Sequence, residues 1–270
     1  MKSFSPKSIH ALRILMDALC CAALLLTVVG LSPANAASIV VNSNADDTLA
    51  NLAGNSTCDL REAIEAANTD TAVGKCPAGS GADTITFDSS LSGATITLAA
   101  TGDTTAGPSA FGIDSTITIE GNSAGVTINA AGSRRIFYVS PAGNLTLDTL
   151  TLSGGTAQGG NGGSGTYFAS GGGGGGGLGG AIFNQGSLSV QDSTFSGNTA
   201  QGGAGGHAGL KNYSTAGGGG GGGGLGGAGG AGGSPSGGIG SGGGGGGTVG
   251  DGGAGVNLGN GGDGGSGGSG

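Results

Sequence analysis

From Asp83 onward, apolar and polar residues alternate in very short runs. Ile85-Thr86-Phe87, Ile96-Thr97-Leu98, Ile117-Thr118-Ile119, Val126-Thr127-Ile128, Ile136-Phe137-Tyr138-Val139 and Leu145-Thr146-Leu147 share one grammar. An apolar β-branched residue or leucine points inward, threonine points outward, and Gly, Asn, Asp or Ala turns follow. Pieces this short suit passes of a parallel β-helix, each adding strands to the one before. Ser38–Ser43 (SIVVNS) reads as a first strand, and Asn44–Asp47 as a turn. The adjacent Asp46 and Asp47 admit calcium or acid catalysis, but Asx-turn chemistry accounts for them more simply.

Before the strands the period changes. In Cys58–Asn68 (CDLREAIEAAN), Leu60, Ala63, Ile64 and Ala67 recur at i, i+3, i+4 and i+7. That is one face of a helix. Arg61, Glu62, Glu65 and Asn68 are expected on the opposite, solvated face. Asp59 and Glu62 have the spacing of a capping box. A helix this short needs a surface to cover, so it is expected to close one end of the strand stack.

An internal repeat extends the strand pattern. Asn144–Gly160 (NLTLDTLTLSGGTAQGG) and Ser187–Gly203 (SLSVQDSTFSGNTAQGG) align with an offset of 43 residues. Leu145 matches Leu188, Leu147 matches Val190, and Leu152 matches Phe195. The expected inward positions are therefore Ile117, Ile119, Ile136, Leu145, Leu147, Ile182, Leu188, Val190 and Phe195. Asn198 is a candidate for an asparagine ladder between passes.

Composition adds a second theme. Glycine occupies 71 positions, and it fills about half of the chain after Ser153. Such tracts lack the side chains whose burial offsets ordering entropy. The loop 154–180 and the tail 204–270 are thus expected to be largely disordered. The tail begins where a further pass would follow and none does, which suggests a flexible tail, or a front piece whose last pass lies open as an aggregation-prone sheet end.

The N-terminus reads as an address. Lys2, Lys7 and Arg13 form a basic region, Ala18–Leu31 is apolar, and Ala34-Asn35-Ala36 has the form of a cleavage site. Removal of residues 1–36 is expected between Ala36 and Ala37. An uncleaved anchor is the alternative, and no other span is expected. Cys20 and Cys21 lie in the leader, which leaves Cys58 and Cys76. In an exported chain these two would pair. Free thiols, or half of a metal site, are the other possibilities. The formal net charge of −8 becomes more negative once the basic leader is gone. That argues against nucleic acid as a partner.

CDLREAIEAAN, followed by Cys76, Gly79, Gly81 and Asp83-Thr84-Ile85, resembles the CSLREA domain of bacterial exported proteins. It departs from that signature at Asp59, where serine is usual, and both residues cap helices. The resemblance covers roughly residues 38–88. It implies an exported β-helical protein with no assigned molecular role. Gly179-Gly180-Ala181-Ile182 and Phe195-Ser196-Gly197-Asn198 are similar to the paired GGAI and FxxN motifs of polymorphic outer-membrane proteins. That likeness implies an adhesive surface β-helix.

Candidate chemistry is sparse. Arg134-Arg135 is the one basic pair after the leader and is expected to form a salt bridge or end a strand. Asp114, Glu120 and Asp148 are isolated along the chain, and His207 lies in a glycine tract. Walker-type and calcium-binding glycine motifs lack their lysine and aspartate frames. No catalytic, cofactor or metal residue is assigned. The reading is an all-β chain: a right-handed parallel β-helix at 89–203 behind a cap domain at 37–88, with a low-complexity tail. The expected role is structural or adhesive, non-enzymatic, in the medium or at the cell surface or outer membrane. The partner is left open by the sequence, with surface glycans or proteins of a host or neighbouring cell as one class. A carbohydrate-active enzyme on the same scaffold and a mostly disordered glycine-rich protein are the alternatives.

Overall fold

The computed structural model describes residues 36–51, 56–166, 169–209, 220–233, 242–247 and 250–255. The expected leader, up to Asn35, and the last stretch of the tail lie outside these residues. Among the described residues the fold is all-β, with mostly parallel strands and one α-helix. The chain runs β1 (Ser38–Val41), α1 (Leu60–Thr69), β2 (Ala82–Phe87), β3 (Thr95–Thr97), β4 (Ser109–Ile113), β5 (Thr116–Glu120), β6 (Val126–Asn129) and β7 (Arg135–Val139). It continues with β8 (Asn144–Asp148), β9 (Leu150–Ser153), β10 (Thr156–Gln158), β11 (Ile182–Asn184), β12 (Ser187–Gln191), β13 (Thr194–Ser196) and β14 (Thr199–Gln201).

These strands fall into four parallel sheets, ordered β1-β2-β5-β8-β12, β11-β7-β4, β13-β9-β6-β3 and β10-β14. Register follows the alternation in the sequence. Ile39, Ile85, Ile119, Leu147 and Val190 are partners in one row. Ile96, Ile128, Leu152 and Phe195 form another. Phe111 and Phe137 pack with ring centroids 5.5 Å apart. Ile117, Ile136 and Leu145 are fully buried. Three expected core positions are not: Leu188, Val190 and Phe195 are 36%, 41% and 46% exposed, and Ile182 is half-buried. They occupy the last strand of each row, so each has an apolar neighbour on one side alone.

α1 packs against β1, β2, β4 and β5. Asp59 accepts a hydrogen bond from Glu62 N at 2.9 Å, and Glu62 Oε2 accepts one from Asp59 N at 3.2 Å. Leu60, Ala63, Ile64 and Ala67 are buried. The expected polar face is corrected here, because Arg61 and Glu62 are buried as well. The helix sits between the sheets and the segment before it, so both faces are covered. A Cys58–Cys76 disulfide, spanning 18 residues, ties the helix start to the loop behind it. Reduction is expected to lower unfolding free energy by about 3 kcal/mol. Urea melts with and without reductant measure it, and coincident curves would deny the bond any stabilising role.

The glycine tracts depart most from expectation. Their described residues form a hydrogen-bonded lattice in place of disordered loops. Segment 159–166 bonds in parallel to 201–209 (Gly159 N to Gln201 O, Gly162 N to Ala204 O, Gly165 N to His207 O). On its other side, Gly229 N and Gly232 N donate to Asn161 O and Ser164 O, and 250–255 continues the layer beyond 227–233. A second layer holds 169–177, 220–225 and 242–247, also mutually parallel. Bonds between layers are antiparallel, as in Gly172 N to Gly163 O and Gly160 N to Gly224 O. Bonds recur every third residue, the period of the polyproline II conformation. A Cβ at Gly160 would fall on the Gly227 carbonyl, and one at Gly163 on that of Gly230. The expectation of disorder counted side-chain burial alone. Here backbone amides pair with backbone carbonyls at spacings that only glycine permits.

Candidate functional site

Alternation puts one residue type on the inside of each strand and another on the outside. The outward partners of the five-stranded sheet are therefore stacked as regularly as the core. Ser38, Thr84, Thr118, Thr146 and Ser189 form one hydroxyl row across five strands. Thr95, Thr127, Thr151 and Thr194 form a second across the four-stranded sheet. Neighbouring hydroxyls in such a row are spaced by the interstrand distance, about 4.8 Å. None of these residues is buried.

The lattice adds two more outer faces. Its sequence is a G-G-X triplet, and the X positions point outward. One layer presents Asn161, Ser164, Ala204, His207, Ala231 and Asp251, all exposed. Asn161 Oδ1 accepts from Ala204 N at 2.8 Å, and Asp251 Oδ1 from Ala228 N at 2.6 Å. The other layer presents Gly173, Gly176, Gly222 and Gly245, where an added Cβ would meet open space or ordinary contact. That triplet was the signal to find in the sequence, hidden because X is itself often glycine.

The two groups richest in polar chemistry are buried arginines. Arg61 Nε and Nη2 each donate to Asp46 at 2.9 Å. Its Nη1 donates to Ala110 O at 2.7 Å and Nη2 to Ala100 O at 3.0 Å. The guanidinium lies 4.9 Å from the Phe111 ring centroid. Asp46 also accepts from Ala99 N and Ala100 N. So the carboxylate of Asp46 is spent on Arg61 and on the backbone of Ala99 and Ala100, not on an Asx turn of its own. It is the buried partner of a helix arginine 15 residues on, a pairing that no sequence spacing indicates. A cavity of about 240 Å³ beside Arg61 is lined by Thr48, Leu49, Ala100, Thr101 and Gly102.

Arg135 opens β7 with its side chain buried. It donates to Leu178 O and Ala106 O at 2.8 and 2.7 Å and lies 5.5 Å from the Phe183 ring centroid. Burial lowers the affinity of its guanidinium for a proton. Of the two expectations for the Arg134-Arg135 pair, the salt bridge is not formed among the described residues, where Arg134 donates to Leu98 O and Thr101 Oγ1, and the pair marks a strand boundary, since Arg135 is the first residue of β7. A cavity of about 160 Å³ next to Arg135 is lined by Pro108, Ser133, Thr156, Ala157, Gln158 and Gly226.

Two further sequence expectations change. Glu120 and Asp148, far apart in the chain, are register partners on adjacent strands and lie in one outward row with Thr86 and Gln191. Asp148 Oδ1 also accepts from Thr149 Oγ1 at 2.8 Å. Asn198 builds no side-chain ladder, because glycine occupies the matching position of the previous pass. Its amide instead accepts from Gly155 N at 2.7 Å and donates to Leu152 O at 2.9 Å. Among the described residues, no three His, Cys, Asp or Glu side chains gather to hold a metal, and no helix is long and apolar enough to cross a membrane.

Comparison with known protein families, with characterised proteins and with solved structures gives no match.

Proposed function

We propose that this is an exported, non-enzymatic protein that works as a structural or adhesive contact surface. In this reading the parallel sheets are the faces of one right-handed parallel β-helix, capped by α1, with the glycine lattice as a side wall. The recurring visit to the same sheets in the same order supports that architecture. Removal of residues 1–36 would deliver it to the medium or the outer cell surface, in keeping with the CSLREA and polymorphic outer-membrane resemblances.

The observation that carries the function is the pair of in-register hydroxyl rows. Evenly spaced hydroxyls suit a repetitive polar partner such as a surface glycan, where many weak hydrogen bonds act together. Most of the buried polar side chains, by contrast, are committed to backbone groups or to each other. The test is retention of the chain by insoluble polysaccharides and by whole cells. The triple substitution Thr84→Val, Thr118→Val, Thr146→Val is expected to cut retention at least about tenfold while leaving the melting temperature within a few degrees. Unchanged retention would sink the hydroxyl rows as the contact surface.

A second reading, a carbohydrate-active enzyme, is favoured by the Glu120–Asp148 pairing, since glycoside hydrolysis uses two nearby carboxylates. Glycan turnover that disappears in Asp148→Ala would replace the adhesive reading with this one.

A further inference from the structure

The inward rows of the five-stranded sheet contain one misfit. Where β5, β8 and β12 place Ile117, Leu145 and Leu188, β2 places Asp83. This carboxylate is 1% exposed. Its Oδ1 accepts from Ser80 N at 2.7 Å and from Ala37 N at 3.1 Å. Its Oδ2 is buried without a partner. Gly79 lies against that oxygen, and a Cβ there would come within 2.5 Å of it. No basic side chain forms an ion pair with Asp83 among the described residues. A buried carboxylate in an apolar row, left half-satisfied, is costly unless a cation meets it.

The backbone nitrogen facing it belongs to Ala37. That residue directly follows the Ala34-Asn35-Ala36 signal and is the one at which the exported chain is expected to begin. Hydrolysis of the Ala36–Ala37 peptide bond consumes one water, leaves a carboxylate on Ala36, and leaves the Ala37 nitrogen as an α-ammonium at neutral pH. One neutral N–H donor thereby becomes three donors carrying a full charge. Ala37 is already held in place from its other end, because its carbonyl accepts from Thr84 N at 2.9 Å. Ala36 is exposed.

We propose that the α-ammonium of Ala37, created by removal of the leader, is the counter-ion of buried Asp83, so that processing completes the first edge of the five-stranded sheet. The inference rests on the export reading. It also goes beyond it, because it makes the processed end a structural element: β1 docks in full strength only after cleavage, and an immature chain keeps an unpaired buried charge.

The experiment compares four oxidised chains: one starting at Ala37 with a free α-amine, the same chain with that amine N-acetylated, and each of these with Asp83→Asn. Folding equilibrium constants come from urea titration. In the chain with the free amine, Asp83→Asn is expected to lower the constant about tenfold or more. In the N-acetylated chain the same change is expected to leave it unchanged or raise it, because the blocked nitrogen supplies no counter-ion to lose. That coupling is the signature of the pair. Equal effects in both backgrounds would overturn it.

A second readout does not depend on stability. The native α-amine should react with an amine-specific acylating reagent at least about tenfold more slowly with Asp83 than with Asn at that position. Equal rates would overturn the pairing. N-terminal sequencing of the protein exported by its own cells tests the export reading separately. A start elsewhere would remove the biological role of the pair, while the four chains would still decide whether the pair forms.

Discussion

Gly160→Ala is expected to collapse the glycine lattice and cost about 3 kcal/mol, while Gly173→Ala leaves it intact. Both positions sit in runs of glycine, and composition treats them alike. The difference is what a methyl group would meet. At Gly160 it falls on the carbonyl of Gly227 in a neighbouring segment, and at Gly173 it meets nothing within 4 Å. Overpacking against side chains costs about 1–3 kcal/mol, because rotamers can adjust. A backbone carbonyl held in a ladder has no rotamer to change, so the upper end applies. Segment 159–166 bonds to four neighbours, so moving it disturbs all four. Gly173→Ala removes unfolded-chain entropy at an open position and is expected to be neutral or stabilising by about 0.4–1 kcal/mol where its backbone suits alanine. Thermal melts followed by near-complete digestion with a broad-specificity protease read both variants. Alanine tolerated equally at the two positions would mean that the close backbone packing does not hold.

Arg61→Ala is expected to cost about 3–5 kcal/mol, since removing one partner strands a buried charge. The side chains of Arg61 and Asp46 are 6% and 2% exposed, so solvent does little to screen the loss. Four pieces of chain meet at this guanidinium: the Asp46 segment, α1, the Ala99-Ala100 segment and β4 at Ala110. Lysine in its place keeps the charge but cannot present two parallel N–H groups to one carboxylate while reaching two carbonyls. Arg61→Lys is therefore expected to recover less than half of the loss. The urea midpoint measures both changes, and a loss under about 1 kcal/mol for alanine would show that the cluster is not what joins the helix to the sheets.

These two sites were the parts least visible in the sequence, for different reasons. Rows such as Ile85–Ile119–Leu147 could be read directly, because strand alternation leaves no other face for isoleucine beside threonine. Asp59 and Glu62 announced their own hydrogen bonds, because a cap acts over three residues. Arg61 did not, because its partner Asp46 sits across an intervening segment and helical periodicity alone assigned the arginine to solvent. The 43-residue repeat placed Leu188, Val190 and Phe195 in their rows. It carried no information about what would cover the last row, and there they are substantially exposed. The glycine lattice is not legible in the sequence, because composition indicates only how much side-chain surface a tract can bury. A structure held by one backbone hydrogen bond in every three residues offers no apolar pattern to read. Glu120 and Asp148 show the same limit, since only strand register makes them neighbours.

The most direct test of the whole account is amide hydrogen exchange across the glycine tracts, read residue by residue. A wall that is part of the scaffold protects the amides of Gly160, Gly163, Gly172, Gly175 and Gly203 by at least about a hundredfold over an open chain, alongside those of β5 and β8. Exchange of those glycine amides at open-chain rates, with the strand amides still protected, would contradict it and return the tracts to the status of linkers.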